Sequence, residues 1–154
     1  MNDGAIEIVA SSFVKNERQV ICVGVNEWRN ELKLYIRTFV PAIDGEGFLP
    51  TKEGISLPIE KIGELLSGIR SLGDVMGGDK VVARIEKSPT QEVRVGFNLY
   101  RDIPLIYVRT YAKYGEDNEF KPTRRGISLR VEKYPELLDA VEKLEEVIQS
   151  LEEE

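Results

Sequence analysis

The chain has 154 residues, of which 42% are hydrophobic, and its formal net charge is −6. It contains no histidine and one cysteine, Cys22, which excludes imidazole catalysis, classical zinc sites and an intramolecular disulfide framework. The sequence has no run of 18 apolar residues and no signal-peptide pattern. We therefore expect a cytoplasmic protein without a membrane-spanning helix.

The first predicted element is a strand, because residues 5–13 form a mostly apolar run. Two strands with period-2 alternation follow it. Their inward positions are Val23, Val25, Leu34, Ile36 and Thr38, and their outward positions are Cys22, Asn26, Trp28, Lys33, Tyr35, Arg37 and Phe39. The sequence Gly-Ile-Ser-Leu at 54–57 predicts a short fourth strand. A helix with one apolar side comes next, and we expect it to end at Gly73.

The same order of elements returns 72 residues later. Aligned without a gap, residues 20–72 and 92–144 are identical at 20 of 53 positions, against about one in sixteen expected from average composition. The chain is therefore an internal duplication, with repeats at 1–73 and 81–154 and a glycine-rich linker at 74–80. We predict an α+β fold of two β-β-β-β-α units. One repeat alone would bury only a marginal core, so the two should pack as an intramolecular pseudo-dimer.

In the second copy the first strand is predicted at 81–85, and a turn at Arg101-Asp102 joins the next two strands. The outward positions of those two strands are Arg94, Asn98, Tyr100, Tyr107, Arg109 and Tyr111. The last helix has a heptad-like apolar stripe, formed by Leu137, Val141, Leu144, Ile148 and Leu151. Residues 83–134 contain 11 Lys or Arg against 7 Asp or Glu, whereas residues 135–154 contain 1 against 8. Acidic charge is therefore concentrated in the last helix.

Each sheet should have one face covered by a helix and one open face on which rings and arginines alternate. Rings offer a stacking platform to any base, and guanidinium groups hold the phosphate backbone, so this pattern is typical of proteins that bind single strands. The alternative is that cross-strand Tyr–Tyr and Tyr–Arg pairs only stabilise a solvated sheet. The pattern alone leaves both interpretations open.

A ten-residue motif, Phe-x-Pro-Thr-(Lys/Arg)-x-Gly-Ile-Ser-Leu, occurs at 48–57 and again at 120–129. Its proline, cations and glycine predict a rigid loop that presents positive charge to phosphate. A structural loop with incidental charge is the alternative.

This motif carries a resemblance to a known family. Residues 121–129, with 132–134 after them and 105–111 before them, resemble the DNA-binding domain of the transcriptional coactivator positive cofactor four family. The first copy resembles it more weakly. The resemblance implies a curved four-stranded antiparallel sheet plus one helix, paired through the helices. It also implies single-stranded or melted DNA lying across both sheets in antiparallel directions, and the transcription machinery as a candidate partner.

The resemblance further implies a set of DNA-binding positions. These are the stacking aromatics Trp28 and Tyr100, the turn cations Arg29 and Arg101, the third-strand arginines Arg37 and Arg109, the loop cations Lys52, Lys121, Arg124 and Arg125, and the ring Tyr134 that opens the second helix. The open-face pattern adds Arg94 and Tyr107. For Trp28 and Tyr134 the alternative is a core or interface position.

The two copies differ within this set. The first copy has Glu53 in place of Arg125, Leu49 in place of Lys121, and Ile62 in place of Tyr134. It is the less basic and less aromatic copy, so we expect the second copy to dominate binding.

We therefore predict that the chain binds single-stranded DNA with little sequence preference, as a transcriptional regulator or a DNA-maintenance factor. It should be a monomer with internal pseudo-two-fold symmetry, associated with the nucleoid if prokaryotic and nuclear if eukaryotic. A protein-interaction module that has lost DNA binding is the alternative. No nucleophile–base pair or phosphate-binding glycine motif occurs, so we predict no enzyme, cofactor or metal site.

Overall fold

The computed structural model describes residues 7–116 and 118–153 and consists of two repeats of the same architecture. The first repeat contains β1 (Glu7–Asn16), β2 (Gln19–Trp28), β3 (Glu31–Pro41), β4 (Phe48–Pro58), a 3₁₀ turn (Ile59–Lys61) and α1 (Ile62–Asp74). The second contains β5 (Lys80–Ser88), β6 (Gln91–Tyr100), β7 (Ile103–Lys113), β8 (Phe120–Arg130), a 3₁₀ turn (Val131–Lys133) and α2 (Tyr134–Glu152). The predicted α+β fold of two β-β-β-β-α units is confirmed. No helix in these ranges is long and apolar enough to cross a membrane.

Each repeat forms one antiparallel sheet in which the strands follow chain order, β1-β2-β3-β4 and β5-β6-β7-β8. The central hairpins close through two residues with positive φ, Arg29 and Asn30 (51° and 66°) in the first repeat and Arg101 and Asp102 (50° and 66°) in the second. A pair of positive φ values gives the turn the twist of the strands it joins, so the hairpins stay tight. The predicted turn at 101–102 is confirmed.

The prediction of a loop before a short fourth strand is wrong. The whole ten-residue motif lies in the long strands β4 and β8, which are the last strands of their sheets. Pro50 and Pro122 fit there because an edge strand does not need every N–H for pairing. The pairing shifts register once in each repeat, so that residues 51–53 lie opposite Thr38 and residues 123–125 lie opposite Thr110. The motif is thus a bulged strand.

The other boundaries lie close to the predicted ones. Helix α1 continues one residue past Gly73, because it ends at Asp74, and β5 begins at Lys80. The predicted first strand runs further than the apolar run suggested, since β1 ends at Asn16. Its predicted start at Ala5 lies outside the described residues.

One apolar core holds the two repeats together. The predicted helix stripes are buried in it, with Leu65, Ile69, Leu72, Leu137, Val141, Leu144 and Ile148 fully buried and Leu151 partly buried. Each helix packs on the sheet of the other repeat: α2 contacts β1 and β2, and α1 contacts β5 and β6. At Gly68 of α1 an added Cβ would lie 2.8 Å from the Cβ of Ala83 in β5. The two repeats therefore form an intramolecular pseudo-dimer with exchanged helices.

Contacts between the helices and between the sheets complete the interface. Helices α1 and α2 touch, and Arg70 of α1 forms an ion pair with Glu142 of α2 at 3.2 Å. On the other side of the core, β4 lies against β8. We call the side of β1–β4 that faces away from the helices the first open face, and the corresponding side of β5–β8 the second open face.

A tyrosine lies across a glycine on each open face. Tyr35 covers Gly24, and Tyr107 covers Gly96, so that an added Cβ at either glycine would lie 2.7–2.8 Å from the phenol oxygen. It would also collide with a carbonyl oxygen of the neighbouring strand, that of Ile8 or Lys80. Burial is the main cause that raises the pKa of both phenols to about 12, so both rings stay neutral.

We expect Gly96→Ala to destabilise the protein, because the new methyl group has no space between Tyr107 and the Lys80 carbonyl. Overpacking of this kind lowers the free energy of unfolding by about 1–3 kcal/mol. Gly63→Ala in α1 is the control, since an added Cβ there meets nothing within 4 Å, and it should leave stability equal or raise it by up to about 1 kcal/mol. Urea unfolding measures both, and a wild-type midpoint for Gly96→Ala would contradict the packing.

We also expect the chain to remain a monomer in solution. The apolar stripe of α2 is buried inside the chain as far as Ile148, so it has no need of a second copy. Fusion of the repeats replaces a concentration-dependent association by an intramolecular one. Light scattering at micromolar concentration should give a mass of 17.4 kDa, and a thermal transition should not move with concentration. A mass near twice that value would mean that chains pair instead.

Candidate nucleic-acid interface

A ring and a guanidinium lie together at each central hairpin. Trp28 and Tyr100 end β2 and β6, and their side chains are 63% and 57% exposed. The guanidinium carbon of Arg29 lies 5.4 Å from the Trp28 ring centroid, and that of Arg101 lies 5.3 Å from the Tyr100 ring centroid. Both pairs were predicted, and both leave an aromatic surface accessible.

The two bulges present charged side chains through the same local structure. The hydroxyl of Thr51 donates to the Thr38 carbonyl at 2.8 Å and accepts from the N–H of Glu53 at 3.1 Å. The hydroxyl of Thr123 makes the equivalent bonds, to the Thr110 carbonyl at 2.8 Å and from the N–H of Arg125 at 3.1 Å. The threonine thus fixes the backbone of the bulge. The next two side chains in each copy, Lys52 and Glu53 or Arg124 and Arg125, are exposed.

Two clefts lie where the bulges meet the open faces. The first cleft has a volume of about 200 Å³, and its charged lining residues are Arg37, Lys52, Lys87 and Arg125. The second cleft has a volume of about 420 Å³, and its charged lining residues are Lys15, Lys52, Glu53, Arg109 and Arg124. Both clefts are therefore predominantly cationic.

Each cleft takes residues from both repeats. Arg37 belongs to the first repeat, but Lys87 and Arg125 beside it belong to the second. Arg109 belongs to the second repeat, but Lys15 and Glu53 beside it belong to the first. The bulges and the ends of β1 and β5 therefore cross between the repeats.

Lys15 and Lys87 are functional candidates that the sequence analysis missed. They are 72 residues apart and so occupy equivalent positions near the ends of β1 and β5. Extending the repeat alignment back to residue 15 would have found the pair, although not the cleft that each lysine enters. Lys87 donates a hydrogen bond to the Ser56 hydroxyl at 3.2 Å.

Burial gives these two lysines an unusual electrostatic environment. Burial is the main cause that lowers the pKa of Lys15; Glu53 opposes this effect and Arg109 adds to it. Burial likewise lowers the pKa of Lys87, with further lowering by Lys33 and Arg125. A partly buried ammonium next to other cations gains more from an incoming phosphate than a solvated one does.

The Arg94 guanidinium already has partners within the sheet. It forms an ion pair with Glu92 at 2.5 Å and lies 4.1 Å from the Tyr111 ring centroid. The ring of Phe120 is also near it, at 5.8 Å. The outward position of Arg94 was predicted correctly, but the side chain stabilises the sheet through these pairs.

Tyr107 and Tyr134 are placed differently from the prediction. Tyr107 lies on the second open face, but the residue is only 5% exposed because its phenol end packs over Gly96, which leaves little ring surface for a base. Tyr134 begins α2 and donates a hydrogen bond to the Arg70 carbonyl of α1 at 3.3 Å. Its ring packs against the core. The interface alternative therefore describes the contacts of Tyr134, whereas Trp28 is exposed.

The remaining predicted residue is Lys121. It lies in β8 opposite Ala112 and is exposed. Ala112 follows the outward residue Tyr111 along β7, so Lys121 lies on the side of the sheet opposite the second open face.

Comparison with known proteins identifies the family. The model of the family described as Transcriptional Coactivator p15 (PC4) matches residues 15–68 and again residues 87–140. The chain belongs to this family. Both matches begin at a cleft lysine, Lys15 or Lys87, and they confirm that the family domain is present as a tandem duplication. A search of curated proteins found no match.

Solved PC4 homologues each match about one repeat. A PC4 homologue from Burkholderia pseudomallei K96243 is 34% identical in its orthorhombic form, over 40% of this chain and 82% of that one, with a TM-score of 0.37. Its tetragonal form is 33% identical, over 42% and 93%, with a TM-score of 0.38. A bacteriophage T5 homologue of PC4, implicated in recombination-dependent DNA replication, is 25% identical over 47% and 81%, with a TM-score of 0.36.

The lowered pKa values of Lys15 and Lys87 predict a pH dependence of DNA binding. Each ammonium loses its proton, and its attraction for phosphate, at a lower pH than an ordinary lysine does. We expect affinity for an oligonucleotide to fall, with a shallower salt dependence, as the pH rises toward the ordinary lysine pKa of about 10.4. Arginine keeps its charge in this range, so Lys15→Arg with Lys87→Arg should remove most of the fall.

Fluorescence anisotropy at each pH measures this effect. Lys143→Arg, at an exposed lysine on α2, is the matched control and should keep the wild-type pH curve. Identical curves for the wild-type chain and the Lys15/Lys87 double variant would contradict the assignment of these lysines.

Proposed function

We propose that this PC4-family protein binds single-stranded DNA with little sequence preference through both open faces. The family match and the duplicated fold support a DNA-binding, coactivator-like protein. The observation that carries the finer proposal is the pairing, on each open face, of an exposed ring with a cationic cleft. In the first repeat the ring is Trp28 and the cleft contains Arg37; in the second they are Tyr100 and Arg109.

Ring and cleft lie on the same side of each sheet. Side chains alternate along a strand, so Trp28 points to the same side as Cys22, which pairs with Arg37. Tyr100 points to the same side as Arg94, which pairs with Arg109. A single DNA strand with a base stacked on Trp28 or Tyr100 can therefore place its phosphates in the cleft on the same open face.

This arrangement favours single strands over duplex. Every base has a π-face, so stacking on Trp28 or Tyr100 tolerates any sequence, but the faces of paired bases are hidden inside a duplex. The clefts supply the sequence-independent attraction for phosphate. The net charge of −6 does not oppose this, because residues 135–154 alone carry a balance of −7, and the apolar side of α2 faces the core on the other side of the sheets. Exposed charges beyond about 10 Å are largely screened at physiological salt.

The chain should bind an oligonucleotide of about 20 nucleotides more tightly than the duplex of the same sequence. Single strands give a slope of log affinity on log salt of roughly −0.7 per neutralised phosphate, so about 4–6 phosphate contacts predict a slope of about −3 to −4. Anisotropy titrations at several salt concentrations measure both quantities. No binding at low salt would leave the protein-interaction module as the better explanation.

The double variant Trp28→Ala/Tyr100→Ala separates stacking from charge. It removes the two hairpin rings and no cation, so affinity should fall by about 1–3 kcal/mol for each ring while the salt slope stays the same. Heparin is the matched ligand, because it has charge without bases, and its affinity should not change. If heparin and DNA of similar charge bind equally and the double variant binds like the wild type, stacking plays no part.

A further inference from the structure

We propose that the first open face is the primary DNA site and that residues exchanged between the two bulges make it so. The inference rests on the proposed single-strand binding and goes beyond it by giving the two faces unequal roles. It reverses the sequence-based expectation, which counted the cations and rings of each copy and predicted that the second copy dominates. That count assigned each bulge to the face of its own repeat.

Both clefts have four cationic lining residues, because Lys52 lines each of them, but only the second also has a carboxylate, Glu53. Arg125 is a residue of the second repeat that lines the first cleft, together with Arg37 and Lys87. Glu53 occupies the equivalent place in the second cleft, where it acts on Lys15. The first cleft thus receives a cation where the second receives a carboxylate. Since Arg125 attracts phosphate and Glu53 repels it, the first cleft binds the DNA backbone more strongly.

The third-strand arginines differ in the bonds they already make. Arg109 donates to the Thr123 carbonyl at 3.0 Å and to the Ser128 hydroxyl at 3.2 Å, which uses two of its five guanidinium donors. In the first cleft the hydroxyl equivalent to Ser128 is that of Ser56, and it accepts from Lys87 instead. In the second cleft, more donors of the third-strand arginine are therefore already used in hydrogen bonds within the protein.

The aromatic surfaces point the same way. Trp28 offers an indole where the second face offers the smaller phenol of Tyr100, and both are more than half exposed. The outer end of the first face also exposes Phe48, at 52%. Its equivalent, Phe120, is partly buried, with the Lys113 ammonium 4.8 Å from the ring centroid. The first face therefore has more ring surface available to bases.

The test uses an oligothymidylate of about 8 nucleotides, short enough for one face to hold it, and calorimetric titration of the full chain. Two binding steps of unequal affinity are expected. Trp28→Ala should weaken the tighter step by about 5- to 150-fold, and Tyr100→Ala, the matched control, should change only the weaker step. Glu53→Gln should bring the weaker step closer to the tighter one by about two- to fivefold. Arg125→Gln should make the salt slope of the tighter step shallower by about 0.7.

The outcomes separate the two proposals. A wild-type chain that does not bind the oligonucleotide overturns the proposed function and the ranking together. A wild-type chain that binds, with equal effects of Trp28→Ala and Tyr100→Ala on one common step, overturns the ranking alone. A larger effect of Tyr100→Ala on the tighter step shows that the second face leads. Circular dichroism checks the fold of each variant, and both rings are exposed, so neither substitution opens a core cavity.

Discussion

The exchange of helices between the two repeats is the constraint on which the rest of the structure depends. Each sheet buries its apolar side only because the helix of the other repeat lies on it, as the approach of Gly68 to Ala83 and Val95 illustrates. The shared core brings β4 and β8 side by side, and from that contact both clefts follow.

The clefts show how a duplicated chain can differ from a symmetric dimer. In two identical subunits, every residue that crosses to the partner is matched by its copy. Here one crossing pair differs, since Arg125 faces one cleft and Glu53 the other, whereas Lys87 and Lys15 are the same residue in both clefts. Fusion therefore lets two sites with the same backbone acquire different charge. The threonine bonds of the bulges are the same in both repeats, so this difference arises without any change in the fold.

Much of the fold could be predicted from the sequence, because repeats, period-2 alternation and turn residues are local signals. They gave the strands, the turn at Arg101-Asp102 and the buried stripe of α2. These local signals could not predict which of the two repeats supplies the residues that pack against a given side chain. Alternation placed Tyr107 on the correct face, but only the opposing Gly96 lets its phenol end pack closely and become buried. Proline and glycine in the motif are typical of loops, and only its position at a sheet edge makes a bulged strand possible.

The same limit applies to the candidate site. The exposed pairs Trp28–Arg29 and Tyr100–Arg101 could be predicted, because a hairpin and the residues at its tip are determined by the local sequence. Lys15 and Lys87 become site residues only through the packing of one repeat on the other. The position of Tyr134 resembles that of a DNA-binding ring in the family pattern. Its hydrogen bond to the Arg70 carbonyl, however, depends on how α1 packs in the folded chain.

A double-mutant cycle on DNA affinity tests most directly whether each cleft is built from both repeats. Arg37→Gln and Lys87→Gln are combined in one cycle, and Arg37→Gln and Lys15→Gln in the other. We predict a coupling of about 0.5–3 kcal/mol for Arg37 with Lys87, although they lie in different repeats, and additivity within about 0.5 kcal/mol for Arg37 with Lys15. Coupling of Arg37 to Lys15, with additivity for Lys87, would show that each repeat forms its own cleft and would contradict clefts shared between the repeats.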